Sequence, residues 1–167
     1  MTTVFCTSKL KDFLKGELNS ENPLASGEQW NANLFLIQGK KCIAFLHKET
    51  VYSVVLFNVE QKDISNLKSL FTEACIKQLY SDKILEQSIE PMVRKTIGNI
   101  SFHSSDRDLS TIASLNDVIS RIKFSEEKID EYVAFDLNAT PNAKRLYEFP
   151  KDLMQKRITE LFKRLHD

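Results

Sequence analysis

The dominant period of the polar and apolar positions changes near Asp63. In the first third they favour strands. Trp30 to Gln38, Lys41 to His47 and Val51 to Phe57 are runs rich in β-branched and aromatic residues, separated only by Gly39-Lys40 and by Lys48-Glu49-Thr50. Connections this short join antiparallel neighbours, so the pattern predicts a meander. Val4 to Cys6 predicts a short strand before it, and Ile100 to His103 another after it.

From Asp63 the spacing becomes helical. Ile64, Leu67, Leu70, Phe71, Ala74, Cys75 and Leu79 mark one face. Ser81 to Val93 predicts a shorter helix interrupted near Pro91. Leu115, Val118, Ile119 and Ile122 mark a third face. Pro150 suits the first turn of a last helix, whose stripe is Leu153, Met154, Ile158, Leu161, Phe162 and Leu165. Near the start, Thr7 is placed to cap a helix running to Leu14, and Gly16 to end it. Residues 17–28 predict a surface loop, and Asn138-Ala139-Thr140-Pro141 a turn. The expectation is an α+β fold: an antiparallel meander of about four to five strands packed against amphipathic helices. With no repeat, low-complexity tract or linker, residues 1–167 are expected to form one globular domain.

Composition changes this picture little. Lys plus Arg equals Asp plus Glu at 23 each, so no overall field draws the chain to nucleic acid or an anionic membrane. The longest apolar runs, Leu34 to Ile37 and Val54 to Phe57, are too short to span a bilayer. The N-terminus lacks the basic and apolar regions of a signal peptide. Cys6, Cys42 and Cys75 are odd in number and far apart, so they are expected to be reduced core residues of a cytoplasmic protein.

Few residues suggest chemistry. His47, His103 and His166 are widely separated and form no metal-binding pair with one another or with cysteine, so no metal is expected. Glycine is present four times, without the spacing of a phosphate-cradling loop, and no nucleophile elbow occurs. No cofactor is expected. In Trp30-Asn31-Ala32-Asn33-Leu34, strand alternation sets Asn31 and Asn33 beside Phe35 and Ile37, opposite Trp30. Buried amides need partners, so either Asn33 fixes a nearby loop or the amides line a pocket. Asn116-Asp117 interrupts a helical pattern. Asp117 pairs with Arg121 four residues on, or the two face a cleft. His47, at a strand end, is read as partly exposed, with a general base as the alternative. Lys144, Arg145, Lys151, Lys156, Arg157, Lys163 and Arg164 make the C-terminal region locally basic, and a helix C-terminus alone favours the last two.

Four stretches in order carry a resemblance: Phe5-Cys6-Thr7-Ser8-Lys9-Leu10, Trp30-Asn31-Ala32-Asn33-Leu34, Ser114-Leu115-Asn116-Asp117 and Leu137-Asn138-Ala139-Thr140-Pro141. The chain resembles, over nearly its whole length, a family of small bacterial proteins known only as a domain of unknown function. Its members open with Cys-Thr-x-Lys-Leu and carry a Trp-x-Ala-Asn-Leu strand, a Ser-Met-Asn-Asp-like helix and an Asn-x-Thr-Pro turn. Leu115 replaces the usual methionine, and His47 stands where asparagine is common. The resemblance implies no reaction, cofactor or partner. It draws attention to Trp30, Asn33, Asn116, Asp117, Asn138 and Thr140.

The functional expectation is a non-catalytic module that binds a protein or nucleoprotein, with an inhibitor of a host system such as a CRISPR nuclease as one form. The alternative is an enzyme, a hydrolase or a nucleic-acid-processing activity, with Asn33, Asp117 and Asn138 converging near His47. Direct RNA or DNA binding through the basic C-terminal helix and Lys40-Lys41 is a weaker alternative. The number of copies in the functional assembly is left open.

Overall fold

The computed structural model of the protein describes residues 1–23, 27–125, 135–142 and 145–164. Lys144, Leu165 and His166 therefore lie outside the described residues. One five-stranded sheet forms the centre, in the order β4-β3-β2-β1-β5. Its strands are β1 (Thr2–Cys6), β2 (Glu28–Ile37), β3 (Lys40–His47), β4 (Ser53–Leu56) and β5 (Ile100–Ser104). Strands β2, β3 and β4 run antiparallel in sequence order, but β1 pairs parallel with both β2 and β5. The sheet is therefore mixed, which corrects the expected antiparallel architecture.

The physical reason lies at the N-terminus. Helix α1 (Ser8–Leu14) and the segment after it carry the chain back to the start of β2, and parallel neighbours require such a crossover. Gly27 opens β2 where a side chain cannot fit, because a Cβ there would lie 2.4 Å from the Met1 carbonyl oxygen and φ is +115°. The β2–β3 connection is a two-residue turn with positive φ at both Gln38 and Gly39, the hand that suits twisted antiparallel strands.

The remaining helices are α2 (Leu67–Ser81), α3 (Glu90–Gly98), α4 (Leu109–Phe124), the short α5 (Phe135–Asn138) and α6 (Pro150–Arg164). Pro91 sits in the first turn of α3 and opens that helix, where an interrupted helix from Ser81 was expected. Strand alternation divides the core. Val4, Trp30, Ala32, Leu34, Ile43 and Phe45 face one side, with α1, α2, α3 and α6. Phe35, Cys42, Ala44 and Leu46 face the other, where α4 contributes Leu115, Val118, Ile119 and Ile122. All three cysteines are free and buried. Burial pushes the Cys6 and Cys75 thiols up to about 12. No helix among the described residues is long and apolar enough to cross a membrane.

Candidate functional site

The sheet separates the residues singled out above. Trp30 lies in the core of the first face, with its ring edge-on to His47 at 5.0 Å between centroids. Asn31 and Asn33 follow the alternation to the α4 face. The Asn33 carboxamide donates to Asn116 Oδ1 at 3.3 Å and accepts from the Thr7 hydroxyl at 2.6 Å. Asn33 thus binds two side chains, where a loop backbone was one expectation. Thr7 turns its hydroxyl to Asn33 and does not cap α1 with it. Asn116 and Asn33 meet, whereas Asp117 pairs with Arg121 on the exposed side of α4, Arg121 Nε lying 3.1 Å from Asp117 Oδ2.

Beside Asn33, the segment from β5 into α4 crosses this face. Asn31 Nδ2 donates to Asp106 Oδ1 at 3.1 Å. The Lys48 ammonium lies over the Phe5 ring, is hydrogen-bonded to Asp106, and reaches Asp108 Oδ2 at 3.2 Å. Asp108 also caps α4, accepting from the Thr111 amide and hydroxyl. Those Thr111 bonds, with Lys48, hold the Asp108 carboxyl down to about 2 although partial burial opposes them. β1 and β5 end at this place, and their chains enter α1 on one face and α4 on the other. Ligands in open α/β sheets bind at such reversals. Here the groups present bond chiefly to each other. Lys48→Met is expected to cost about 1 kcal/mol, because it leaves Asp106 and Asp108 without their cation. Denaturant titration at low and high salt checks this; the loss shrinks as salt screens the pair.

His47 is 2% exposed, which corrects its reading as a partly exposed residue. Its Nδ1 accepts from the Thr50 amide at 3.2 Å, so Nε2 carries the proton and faces Glu28 Oε2 at 2.9 Å. Glu28, buried and absent from the sequence candidates, receives Arg157 of α6 through Nη2 at 2.8 Å and Nε at 3.2 Å. Burial would raise the Glu28 carboxyl, but the bonds from His47 and Arg157 outweigh it and hold it at about 2. A further carboxylate, Glu49, lies 3.3 Å from Arg157 Nη1. The turn after β3 is thus joined to three remote segments: through Lys48 to the start of α4, through Glu49 to α6, and by its backbone to residue 145. Val51 in this turn holds φ at +54°, a rare conformation for a β-branched side chain.

Asn138 occupies a third location. Its carboxamide accepts from the Ser53 amide at 2.7 Å and donates to the Ser53 carbonyl at 2.9 Å. It therefore continues the ladder of β4 at the sheet edge as another strand would. The same Nδ2 lies 3.3 Å from Asp82 Oδ2, which also accepts from Gln78 and from the Tyr52 hydroxyl. Burial and then the Asp82 charge raise the Tyr52 phenol. Thr140, beyond it, is exposed.

Of the basic residues, Arg145 donates to the Lys48 carbonyl at 2.6 Å, Lys156 reaches Glu148 at 3.1 Å and Arg157 is held by Glu28. Lys163 and Arg164 are exposed near the end of α6, and Lys151 is half-buried. Among the described residues no group of three or more His, Cys, Asp or Glu side chains is placed to hold a metal ion.

The segment just before α6 has a different character. Arg145 to Glu148 form a tight turn closed by Glu148 N–H to the Arg145 carbonyl at 2.9 Å, with Asn142 bridging to Glu148. Its two central residues, Leu146 and Tyr147, have φ of +53° and +61°. Glycine and asparagine normally fill such positions. Both side chains are turned to solvent, Leu146 at 89% and Tyr147 at 72% exposure. Sequence reasoning missed this turn, because its sequence carries no Gly, Asn or Asp signal.

Fold and contacts together define an α+β protein whose polar side chains join remote loops around a mixed sheet. The chain belongs to the family described as "Domain of unknown function (DUF6933)", whose model matches residues 3–153. The match runs from β1 into the first turn of α6, so it includes the 145–148 turn. No curated protein and no solved structure matches the chain.

Proposed function

We propose that this chain is a non-catalytic binding module that docks on a protein partner through the turn at Leu146 and Tyr147. One observation carries the reading. Two bulky residues in the left-handed region cost roughly 1–2 kcal/mol each, and both also expose apolar surface. Asn-Gly would remove both costs, so the side chains themselves have a use outside the fold. Arg145 braces one end of the turn on the Lys48 carbonyl and Lys156 the other on Glu148, which limits the entropy lost on docking. Tyrosine is also a frequent interface anchor. The buried polar groups support a structural rather than chemical role: both ring nitrogens of His47 are engaged, and the Cys6 and Cys75 thiols are held protonated near neutrality. A nucleoprotein would be engaged through its protein surface.

The test compares the native chain with Leu146→Asn/Tyr147→Gly in affinity purification from the source cells. The double variant is expected to be more stable by about 2 kcal/mol, read by denaturant unfolding, yet to lose a partner that the native chain retains. Equal retention by both proteins removes the turn from the interface.

A further inference from the structure

The outer side of α4 carries a large apolar side chain at each of its ends. Leu109, in the first turn, is 77% exposed, and Phe124, in the last, is 85% exposed. Helical spacing through Ala113, Asn116 and Ser120 sets all five on one stripe, opposite the side that packs on β2 and β3. Two polar groups of the stripe are already engaged: the Ser120 hydroxyl donates to the Asn116 carbonyl at 2.9 Å, and Asn116 Oδ1 accepts from Asn33. Covering the stripe therefore strands neither of them. The charges beside the two apolar ends differ in sign. Next to Leu109 is the Asp108 carboxylate, 32% exposed beside Lys48. Next to Phe124 is Lys123, which is exposed and has no ion-pair partner among the described residues.

We propose that the outer side of α4 binds the same side of α4 in a second copy of this chain, the two helices running antiparallel about a twofold axis between Asn116 and Asp117. Self-complementarity selects this occupant, because a twofold contact brings one surface against itself. In that register Leu109 of each copy lies against Phe124 of the other, Ala113 against Ser120, and Lys123 beside the other copy's Asp108. Both apolar ends are covered and opposite charges meet, whereas a parallel pair would set Lys123 against Lys123. Asp117 stays at the flank with Arg121. At 1.5 Å per residue α4 is about 24 Å long, and one helix pair of that length covers less than the roughly 1,200 Å² of a standard interface, so the dimer is weak and reversible. The contact uses none of the 145–148 turn and does not depend on the docking role given to it.

Sedimentation equilibrium of the native chain from about 10 µM to about 1 mM is expected to show a monomer–dimer equilibrium with Kd on the order of 0.1 mM. Phe124→Ala is expected to raise that Kd about tenfold and to leave the unfolding curve unchanged, since the ring is exposed in the monomer. Cross-linking reads the register separately. The three native cysteines are buried, so new surface thiols can be oxidised selectively with diamide. A mixture of the Leu109→Cys and Phe124→Cys proteins is expected to form the mixed disulfide dimer. Either protein alone is expected to link far more slowly, because the antiparallel register holds its two new thiols about 22 Å apart. A chain that stays monomeric at 1 mM overturns the proposal and leaves the face to a different partner. A dimer that Phe124→Ala does not weaken, or self-linking as fast as mixed linking, overturns it equally.

Discussion

Replacing Arg157 with alanine is expected to destabilise the protein by about 3 kcal/mol, the usual cost of removing one partner of a buried ion pair. The guanidinium contacts Glu28 through two nitrogens and bridges to Glu49, and it fastens α6 to the first residue of β2. Without it Glu28 stays buried against His47 alone. At 2–4 °C per kcal/mol for a chain this long, the melting temperature falls by roughly 6–12 °C. The pH dependence has a definite sign. Glu28 titrates at about 2 in the folded state and near 4.5 when unfolded, so the unfolded chain takes up its proton first as the solution is acidified. Its contribution is complete above about 4.5 and is lost as pH falls toward 2. Thermal melts of the native chain and Arg157→Ala between pH 2 and 7 check this. The difference between them should be largest near neutrality and should narrow below pH 4. A constant difference would mean that Arg157 acts by packing alone.

Asn138→Ala is expected to cost about 3 kcal/mol by a different route. It removes both partners of the Ser53 backbone and one donor of Asp82, all buried, and each group left unpaired costs about 1–3 kcal/mol. The loss is local before it is global. Hydrogen exchange at the Ser53 amide should accelerate by more than the change in overall stability explains, while amides in β2 follow the global change. Unchanged protection at Ser53 would sink the assignment of Asn138 as a substitute strand.

The two cases differ in how visible they were beforehand. Asn138 stands in an Asn-Ala-Thr-Pro stretch that marks a turn, so its importance had a local signal although its partner, 85 residues away, did not. Glu28 had no signal at all. It ends a polar loop and looks like one more surface carboxylate until β3 brings His47, and α6 brings Arg157, to its side. The Leu146-Tyr147 turn was hidden for the opposite reason: nothing in its residue types favours the left-handed backbone it adopts. The polar motif residues also divide among three places. Asn33 meets Asn116, Trp30 faces the other side of the sheet, and Asn138 lies at its edge.

The amino-acid pattern alone determined the strands of the first third, the faces they bury, and the apolar stripes of α2, α4 and α6. These depend on periods of two and 3.6 residues that any local window contains. Tertiary structure decided the rest. Whether β1 would lie parallel between β2 and β5 depended on crossovers that five residues of strand cannot encode. The burial of Glu28 and His47 required α6 to return across the sheet. That the Trp30 indole N–H has no acceptor among the described residues could be read only once those residues had positions. Period is a property of the chain, whereas the pairing of charges, amides and strand edges is a property of the space the folded chain encloses.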